Sequence, residues 1–250
     1  VSGVSPLTGG HGLRRFLQDL SDDKNASVEI PTTLNSAGCD KEKMKEMDIQ
    51  VNDFLEQQFE IIHSYSKLGI EAILSCTPYD RGIDVNGIGS WAESNAVAFS
   101  NSYTSLITNR ESGLSALSTA LTGWAPKWGL HIEGNRVPNI HVIVDCELEY
   151  ISDWSILGDW IGKQIDPGWN LPWGMMPYIT GLPENASLES KKALTAAAAN
   201  YGCPILWADG ITKTPNVDED WVPQGELKFT KEELSSRYEE LSPKGQVDLV

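Results

Sequence analysis

The chain has 250 residues, 40% of them hydrophobic, which is enough to build one sizeable core. Its 35 acidic and 19 basic residues give a formal net charge of −16, which repels phosphate backbones and argues against DNA or RNA binding. No run of about eighteen apolar residues occurs, and no basic region leads into an apolar stretch at the start. We therefore expect a cytoplasmic protein that does not insert into a membrane.

The ends and the cysteines bound the interpretation further. The chain begins at Val1, inside a Gly-rich stretch, and stops within 246–250, a segment typical of the opening of a buried strand. We therefore expect a fragment that is truncated at both ends. The four cysteines, at positions 39, 76, 146 and 203, form no CxxC pair, so the sequence predicts neither a closed structural zinc site nor disulfides in a reducing compartment.

Hydrophobic periodicity and turn residues predict helices and strands that alternate along the chain. In chain order we expect a strand at 26–30, a helix at 51–65 that stops at Gly69, a strand at 70–74, helices at 92–107 and 113–121, a strand at 140–144, helices at 154–161 and 187–201, a strand at 204–207 and a helix after Thr230. The stretch 162–176 is rich in Trp, Pro and Gly and predicts an ordered surface loop.

This alternation predicts an α/β fold with a mainly parallel sheet that is layered with helices on both faces. In such folds ligands bind at the carboxyl ends of the strands. The polar segments 31–35 and 75–79 each follow a predicted strand, so we expect them to lie at that edge of the sheet.

Residues 89–111 are the most unusual part of the chain, because hydrogen-bonding side chains alternate there with small apolar ones. Buried polar groups have to be paired, so the segment predicts either satisfied core contacts or a preorganised pocket for a small polar ligand. Arg110 is the only lysine or arginine between Gly82 and Lys127. Its guanidinium can clamp a carboxylate or a phosphate.

An ordered series of motifs runs through nearly the whole chain. The series comprises Pro31-Thr32-Thr33-Leu34-Asn35, Cys76-Thr77-Pro78-Tyr79, Trp91-Ala92-Glu93-Ser94-Asn95-Ala96-Val97, Asn101-Ser102, Thr108-Asn109-Arg110-Glu111, Ala120-Leu121-Thr122-Gly123, Gly129-Leu130-His131 and Gly210-Ile211-Thr212. Read together, these motifs resemble the large subunit of the aconitase X family, whose fold is aconitase-like. The resemblance implies that residues 1–250 form one incomplete catalytic domain of this kind.

The resemblance also implies a hydro-lyase that dehydrates a small hydroxy acid. The best-defined activities in the family are 5-phosphomevalonate dehydration and cis-3-hydroxy-L-proline dehydration, and the start of the chain at 1–5 is closer to the phosphomevalonate branch. A non-catalytic module for small-molecule binding or assembly is the alternative of another class. It would lack a deep pocket near Cys76, Glu93 and Asn101.

Dehydration needs a Lewis acid on the departing oxygen and a base for the neighbouring proton. Three thiolates can hold a 4Fe-4S cluster and leave one iron open, which favours that cluster over a 2Fe-2S centre. The resemblance places one ligand at Cys76 and the other ligands beyond Val250. It places the base, a serine, on a small swivelling subunit or fused domain.

The resemblance and the polar segments together assign the site residues. Expected to bind substrate are Asn35, Thr77, Glu93, Ser94, Asn95, Asn101, Ser102, Arg110, Glu111 and His131. Expected to converge on one concave site are Cys76, Glu93, Ser94, Asn101 and Arg110. For His131 a purely structural hydrogen bond is an equally supported role.

Overall fold

The computed structural model describes residues 6–37, 42–50, 52–81, 85–165, 175–212 and 221–242. Its helices are α1 (Pro6–Asp22), α2 (Asp53–Lys67), α3 (Ser94–Tyr103), α4 (Gly113–Thr122), α5 (Ile151–Gln164), α6 (Leu188–Ala199) and α7 (Lys231–Leu241). Its strands are β1 (Asn86–Trp91), β2 (Ser105–Arg110), β3 (Ile140–Asp145), β4 (Pro177–Thr180), β5 (Trp207–Ala208) and β6 (Gly225–Thr230). Within these ranges no helix combines the length and the apolar character needed to cross a membrane.

All strand pairs are parallel, which confirms the predicted α/β class, but the strands form two sheets. β1 and β2 form a two-stranded sheet, in which Asn86 lies opposite Ser105 and Trp91 lies opposite Arg110. The other four strands form a second sheet in the order β5-β4-β3-β6. The sheet that carries the polar segment 89–111 is therefore separate from the larger one.

The helix boundaries follow local sequence signals. The Asn52 side chain accepts a hydrogen bond from Leu55 N at the start of α2, and Gly69, at φ +89°, follows its end. Ser112 caps α4 in a reciprocal capping box with Ser115. The predicted helix after Thr230 is confirmed, because this threonine caps α7.

Three clusters of buried apolar side chains pack the described elements together, and the smallest contains Leu130, Met176, Ile205 and Trp207. The larger core joins the four-stranded sheet to α5 and α6 and includes Val142, Trp154, Leu157, Ile161, Ile179, Leu194, Leu206 and Phe229. The smaller core lies between α1, α2 and α4 and contains Leu17, Leu34, Ile61, Tyr65, Leu68, Ile70 and Leu117. The helical members of both cores occupy the periodic apolar positions of their helices, and strands supply Val142, Ile179 and Phe229 to the larger one.

Helices α5 and α6 approach at backbone distance. Gly158 lies on α5 at the contact, and a Cβ added there would be 2.2 Å from the Leu194 carbonyl oxygen and 3.0 Å from the Ala197 Cβ. Because any side chain at position 158 would collide with the backbone of α6, glycine is what permits this close packing.

The structure corrects several predicted boundaries. Segments 26–30 and 70–74 are not strands. Glu71 forms an isolated parallel bridge with Thr33, which follows the first segment, and Leu74, at φ +50°, leaves the extended conformation. The helix predicted at 92–107 ends at Tyr103, because Thr104 is extended and β2 begins directly after it. The strand predicted at 204–207 begins only at Trp207.

Five helices and strands were missed, namely α1, β1, β2, β4 and β6, and β2 overlaps the end of the helix predicted at 92–107. Strand β1 contains Gly87 and Gly89 and shows no alternation between apolar and polar residues, so periodicity could not reveal it. The loop predicted at 162–176 overlaps the end of α5, and its central part, 166–174, lies outside the described residues.

Candidate active site

The two-stranded sheet brings two polar segments to one edge. β1 and β2 end side by side at Trp91 and Arg110, and the Glu111 amide donates to the Trp91 carbonyl at 2.9 Å. Glu93 follows β1 and Glu111 follows β2, so both carboxylates lie at the carboxyl end of this parallel pair. This is the position at which ligands bind in parallel sheets.

A groove opens beside this edge. It is lined by Thr33, Asn35, Ser75, Pro78, Trp91, Ala92, Glu93 and Ala96. The Asn35 Nδ2 donates to Glu93 Oε2 at 2.8 Å, which joins residues that are 58 positions apart in the chain. The structure thus brings the predicted residues Asn35 and Glu93 together, beside the loop that carries Cys76.

The loop 75–81 presents the Cys76 thiol to solvent. Ser75 Oγ accepts a hydrogen bond from the Thr77 amide at 3.1 Å and lies 3.3 Å from Thr77 Oγ1. Cys76 is free and exposed between them. Ser75 and Pro78 line the groove and Cys76, which lies between them in the chain, does not, so the thiol lies at the margin of the groove; its predicted role as a metal ligand stays a prediction.

Ser94 and Asn95 open α3 next to the groove residue Glu93. Asn95 lies beside Tyr79, whose ring stacks on Phe99 with 4.0 Å between the ring centroids. Burial raises the pKa of Tyr79 to about 12, with a further contribution from Asp80, against a smaller lowering by the Asn95 side chain. The Tyr79 hydroxyl therefore stays protonated at neutral pH.

Asn101 and Ser102 lie in the protein interior and are not among the groove residues. Asn101 Nδ2 donates to the carbonyls of Thr108 (2.9 Å) and Pro204 (3.0 Å), and its Oδ1 accepts from the Thr108 amide (2.9 Å). Ser102 Oγ donates to the Ala98 carbonyl and accepts from the amide of residue 206. Both side chains join α3 to neighbouring backbone, so the structure supports the alternative of satisfied core contacts for them.

Arg110 and Glu111 have protein partners of their own. The exposed Arg110 donates through Nη1 to the Gly202 carbonyl at 3.1 Å. Glu111 accepts from Ser115 Oγ at 2.6 Å and so supports the start of α4. The structure does not place either side chain on the groove that Asn35 lines, although both follow the same strand edge.

His131 contacts backbone with both ring nitrogens. Nε2 lies 3.0 Å from the Gly89 carbonyl oxygen, and Nδ1 lies 3.0 Å from that of Pro126 and 3.3 Å from Asn109 Nδ2. Asn109 in turn accepts from the Leu130 amide at 2.7 Å. These bonds join β1 to the loop after α4, which favours the structural role for His131.

Among the described thiols, Cys76 is exposed, Cys146 is half-buried and Cys203 is buried. Metal binding needs a thiolate, and burial raises the pKa of Cys203 to about 12. Burial and nearby carboxylates also raise the pKa of Cys146, and Cys39 lies outside the described residues. Among the described residues, no three His, Cys, Asp or Glu side chains lie close enough to hold a metal ion. The exposed Cys76 fits a single ligand position, and the described part of the chain does not hold a cluster by itself.

Six of the groove residues were not singled out from the sequence, and three of them have hydrogen-bonding side chains. Thr33, Ser75 and Trp91 all line the groove. Thr33 and Trp91 lie inside the quoted motifs and Ser75 directly precedes one, so the motif flanks were the available signal.

The chain matches two family models in succession. Residues 2–134 match the aconitase X first domain, and residues 138–239 match the aconitase X second domain. The prediction of one domain over 1–250 stays a prediction.

Curated and solved proteins agree with these matches. The phosphomevalonate dehydratase large subunit of Methanothermobacter thermautotrophicus is 35% identical over 94% of this chain and 59% of its own length. The cis-3-hydroxy-L-proline dehydratase of Pseudomonas aeruginosa is 29% identical over 97% of this chain and 42% of its own length. The holo-form of aconitase X from Thermococcus kodakaraensis superposes with a TM-score of 0.81 at 31% identity, covering 98% of this chain and 59% of that one. The chain thus spans about 59% of the length of the large subunits it matches. Because the two family models together match most of the chain, the chain belongs to the aconitase X family.

Proposed function

We propose that the chain is part of the large subunit of a hydro-lyase that removes water from a small hydroxy acid, with 5-phosphomevalonate as the first candidate. The observation that carries the proposal is the match to both aconitase X family models, together with relatives that are named dehydratases. Relatives named phosphomevalonate dehydratase are 32 to 35% identical, and those named for cis-3-hydroxy-L-proline are 29 and 34% identical. These ranges overlap, so cis-3-hydroxy-L-proline is the second candidate.

The groove supports recognition of a polar substrate. Asn35 uses one amide hydrogen on Glu93, which fixes the Glu93 carboxylate and leaves the second amide hydrogen to bind a ligand oxygen. A carboxylate held in this way can accept a hydrogen bond from a substrate hydroxyl. The adjacent groove residues Thr33 and Ser75 add further hydroxyl groups.

Arg110 does not line the groove, and we propose that it binds an anionic end of the substrate that reaches beyond the groove. A protein with a net charge of −16 repels an anion unless a cation lies nearby, and Arg110 is the only lysine or arginine between residues 82 and 127. One of its guanidinium nitrogens bonds to Gly202, and the side chain is exposed, so the other nitrogens can contact a phosphate. This contact favours 5-phosphomevalonate, because cis-3-hydroxy-L-proline carries no phosphate group.

Cys76 is proposed as one ligand of an iron-sulfur cluster, 4Fe-4S rather than 2Fe-2S, with its other ligands outside the described residues. Such a cluster supplies a Lewis acid for the departing hydroxyl group. The chain's own contribution is an exposed thiol at the margin of the groove. We place the proton acceptor on a small swivelling subunit or fused domain, since relatives of this chain are named large subunits.

The test combines this chain with the rest of a family large subunit and a small subunit, reconstituted anaerobically with iron and sulfide. We expect dehydration of 5-phosphomevalonate to exceed that of cis-3-hydroxy-L-proline. Arg110→Gln should raise KM for 5-phosphomevalonate more than it lowers kcat, because a contact made equally in ground and transition states contributes to binding alone. Lys127→Gln, a charge change at an exposed position, is the matched control.

Loss of the cluster in a Cys76→Ser variant, read from its visible absorption, would support the ligand assignment, because a hydroxyl is a far weaker iron ligand than a thiolate. Turnover of neither substrate would overturn the proposed activity. Preferred turnover of cis-3-hydroxy-L-proline would transfer the assignment to the second candidate, and binding without turnover would support the non-catalytic alternative.

A further inference from the structure

An ion pair joins the Cys76 loop to α6. After Thr77 the chain turns through a short 3-10 helix, Pro78–Arg81, in which the Asp80 amide donates to the Thr77 carbonyl at 3.0 Å. Lys192 Nζ, from α6, lies 2.7 Å from Asp80 Oδ1 and 2.8 Å from Oδ2. The side chains of Lys192 and Asp80 are 29% and 36% exposed. One ammonium therefore binds both carboxylate oxygens at a partly shielded position.

The same ammonium lies against the neighbouring residue of the turn. Lys192 Nζ is 5.7 Å from the centroid of the Tyr79 ring, which is within the range of a cation–π contact. Tyr79 stacks on the buried Phe99 of α3, with 20° between the ring planes. The turn is thus held by α3 through an apolar stack and by α6 through a single lysine.

The chain on the other side of Cys76 has an unfavourable backbone conformation. Leu74 has φ +50°, in the left-handed region that residues with a branched side chain rarely adopt. A conformation of this kind persists where surrounding contacts impose it. The bonds between Ser75 and Thr77 are local to the loop. Before Cys76, Leu74 packs against the smaller apolar core, and after it Asp80 and Tyr79 contact α6 and α3.

We propose that Lys192 is a positioning residue for the Cys76 loop: its ammonium, bound to Asp80 and to the Tyr79 ring, fixes the loop against α6 and so places Cys76 at the margin of the groove. Lys192 acts through the loop and does not itself line the groove. That this placement serves dehydration rests on the proposed function. The placement itself can be measured in the isolated chain, without any enzymatic turnover.

The test measures how tightly the loop is held in the 250-residue chain. Lys192→Met keeps the aliphatic stem and removes the charge, Lys192→Arg keeps the charge, and Lys191→Met is the matched control. Lys191 is adjacent on α6, but its ammonium lies over the Tyr103 ring at 5.7 Å. The readouts are amide hydrogen exchange of residues 74–81 and the iodoacetamide alkylation rate of Cys76, followed through the mass of its peptide.

For Lys192→Met we expect both rates to rise about two- to five-fold, the range set by a partly exposed ion pair. Lys192→Arg and Lys191→Met should remain close to the original chain. Asp80→Asn should raise the same rates, and it should add little in the Lys192→Met background, because the two residues form one interaction. Exchange of the α5 amides is the internal reference for a folded protein.

Unchanged exchange and alkylation in Lys192→Met would overturn the proposal, and so would an equal effect of Lys191→Met. Additive effects of Asp80→Asn and Lys192→Met would also overturn it, because the two residues would then act independently. These readouts involve no substrate, so their outcome is separate from the fate of the proposed dehydratase activity.

Discussion

The region around the two-stranded sheet and the region around the four-stranded sheet are each stabilised by a different kind of interaction. Around the two-stranded sheet, the buried side chains of Asn101, Ser102, Thr108 and Asn109 bind backbone groups directly. Around the four-stranded sheet, apolar side chains such as Leu157 and Phe229 fill one continuous core. Hydrogen bonds have directions and apolar contacts do not, so the polar region can hold loops at fixed positions, which a binding site requires.

Asn101→Leu should have the largest effect, because it leaves the Thr108 amide and two carbonyls without their partner. The variant removes three hydrogen bonds at similar side-chain volume, and we expect a loss of about 3 to 4 kcal/mol in the free energy of unfolding. Urea unfolding measures the loss, and hydrogen exchange should locate it in α3 and β2. A loss well below 1 kcal/mol would contradict the view that polar bonds hold this region.

Leu157→Ala should destabilise the apolar region by about 3 kcal/mol through lost burial and the cavity that remains. Leu157 is fully buried on α5, whereas Leu188 on α6 is 48% exposed, so Leu188→Ala is the control and should cost little. Exchange should rise first in α5 and β3. Equal acceleration in α3 would show that the two regions unfold as one unit, which would break the comparison.

A surface network adds a pH dependence to the apolar region alone. Arg237 and then Lys163 lower the pKa of Glu240 from its ordinary value of 4.5 to about 2. Since the folded pKa is the lower one, this contribution to stability is complete above about pH 4.5 and is lost as the pH falls toward 2. Glu240→Gln should therefore flatten the fall of Tm between pH 5 and pH 3, and the exposed neighbour Glu239→Gln should not.

Tyr103→Phe should have the smallest effect, and a stabilising one. The Tyr103 hydroxyl oxygen is buried and has no hydrogen-bond partner among the described residues, and burial raises the pKa of this tyrosine. Removing it should raise the free energy of unfolding by about 1 kcal/mol. Tyr201→Phe is the contrasting control, because its hydroxyl donates to Asp159 at 2.9 Å and the variant should be destabilised. Both values follow from thermal unfolding.

The sequence predicted a helix or strand correctly where its apolar pattern was long or where a capping residue was present. Helix α2 has both a periodic apolar face and a capping Asn52, and strand β3 is a compact apolar run. Strand β1 was missed because its glycines and exposed residues show no period of two. Strand β5 has only two residues, which is too short for any pattern.

The sequence predicted which segments meet at the site better than it predicted the role of each side chain. Asn35 and Glu93 meet in a groove beside the Cys76 loop, as the motif series suggests. Asn101 and His131 were expected to bind substrate, but they bind backbone groups. A side-chain amide that hydrogen-bonds to the backbone and one that binds a ligand come from the same residue types. The sequence alone therefore does not separate the two roles.

Gly158 is a position at which this fold does not accept another residue. Any protein that keeps α5 and α6 at their present spacing has to keep glycine at this position, because even a methyl group would overlap the Leu194 carbonyl. A substitution there would push α6 away from α5, and α6 carries Lys192, whose ammonium reaches the Cys76 loop on its other side. A substitution of Gly158 would therefore change the position of Lys192 and, through the proposed role of this lysine, the placement of the Cys76 loop.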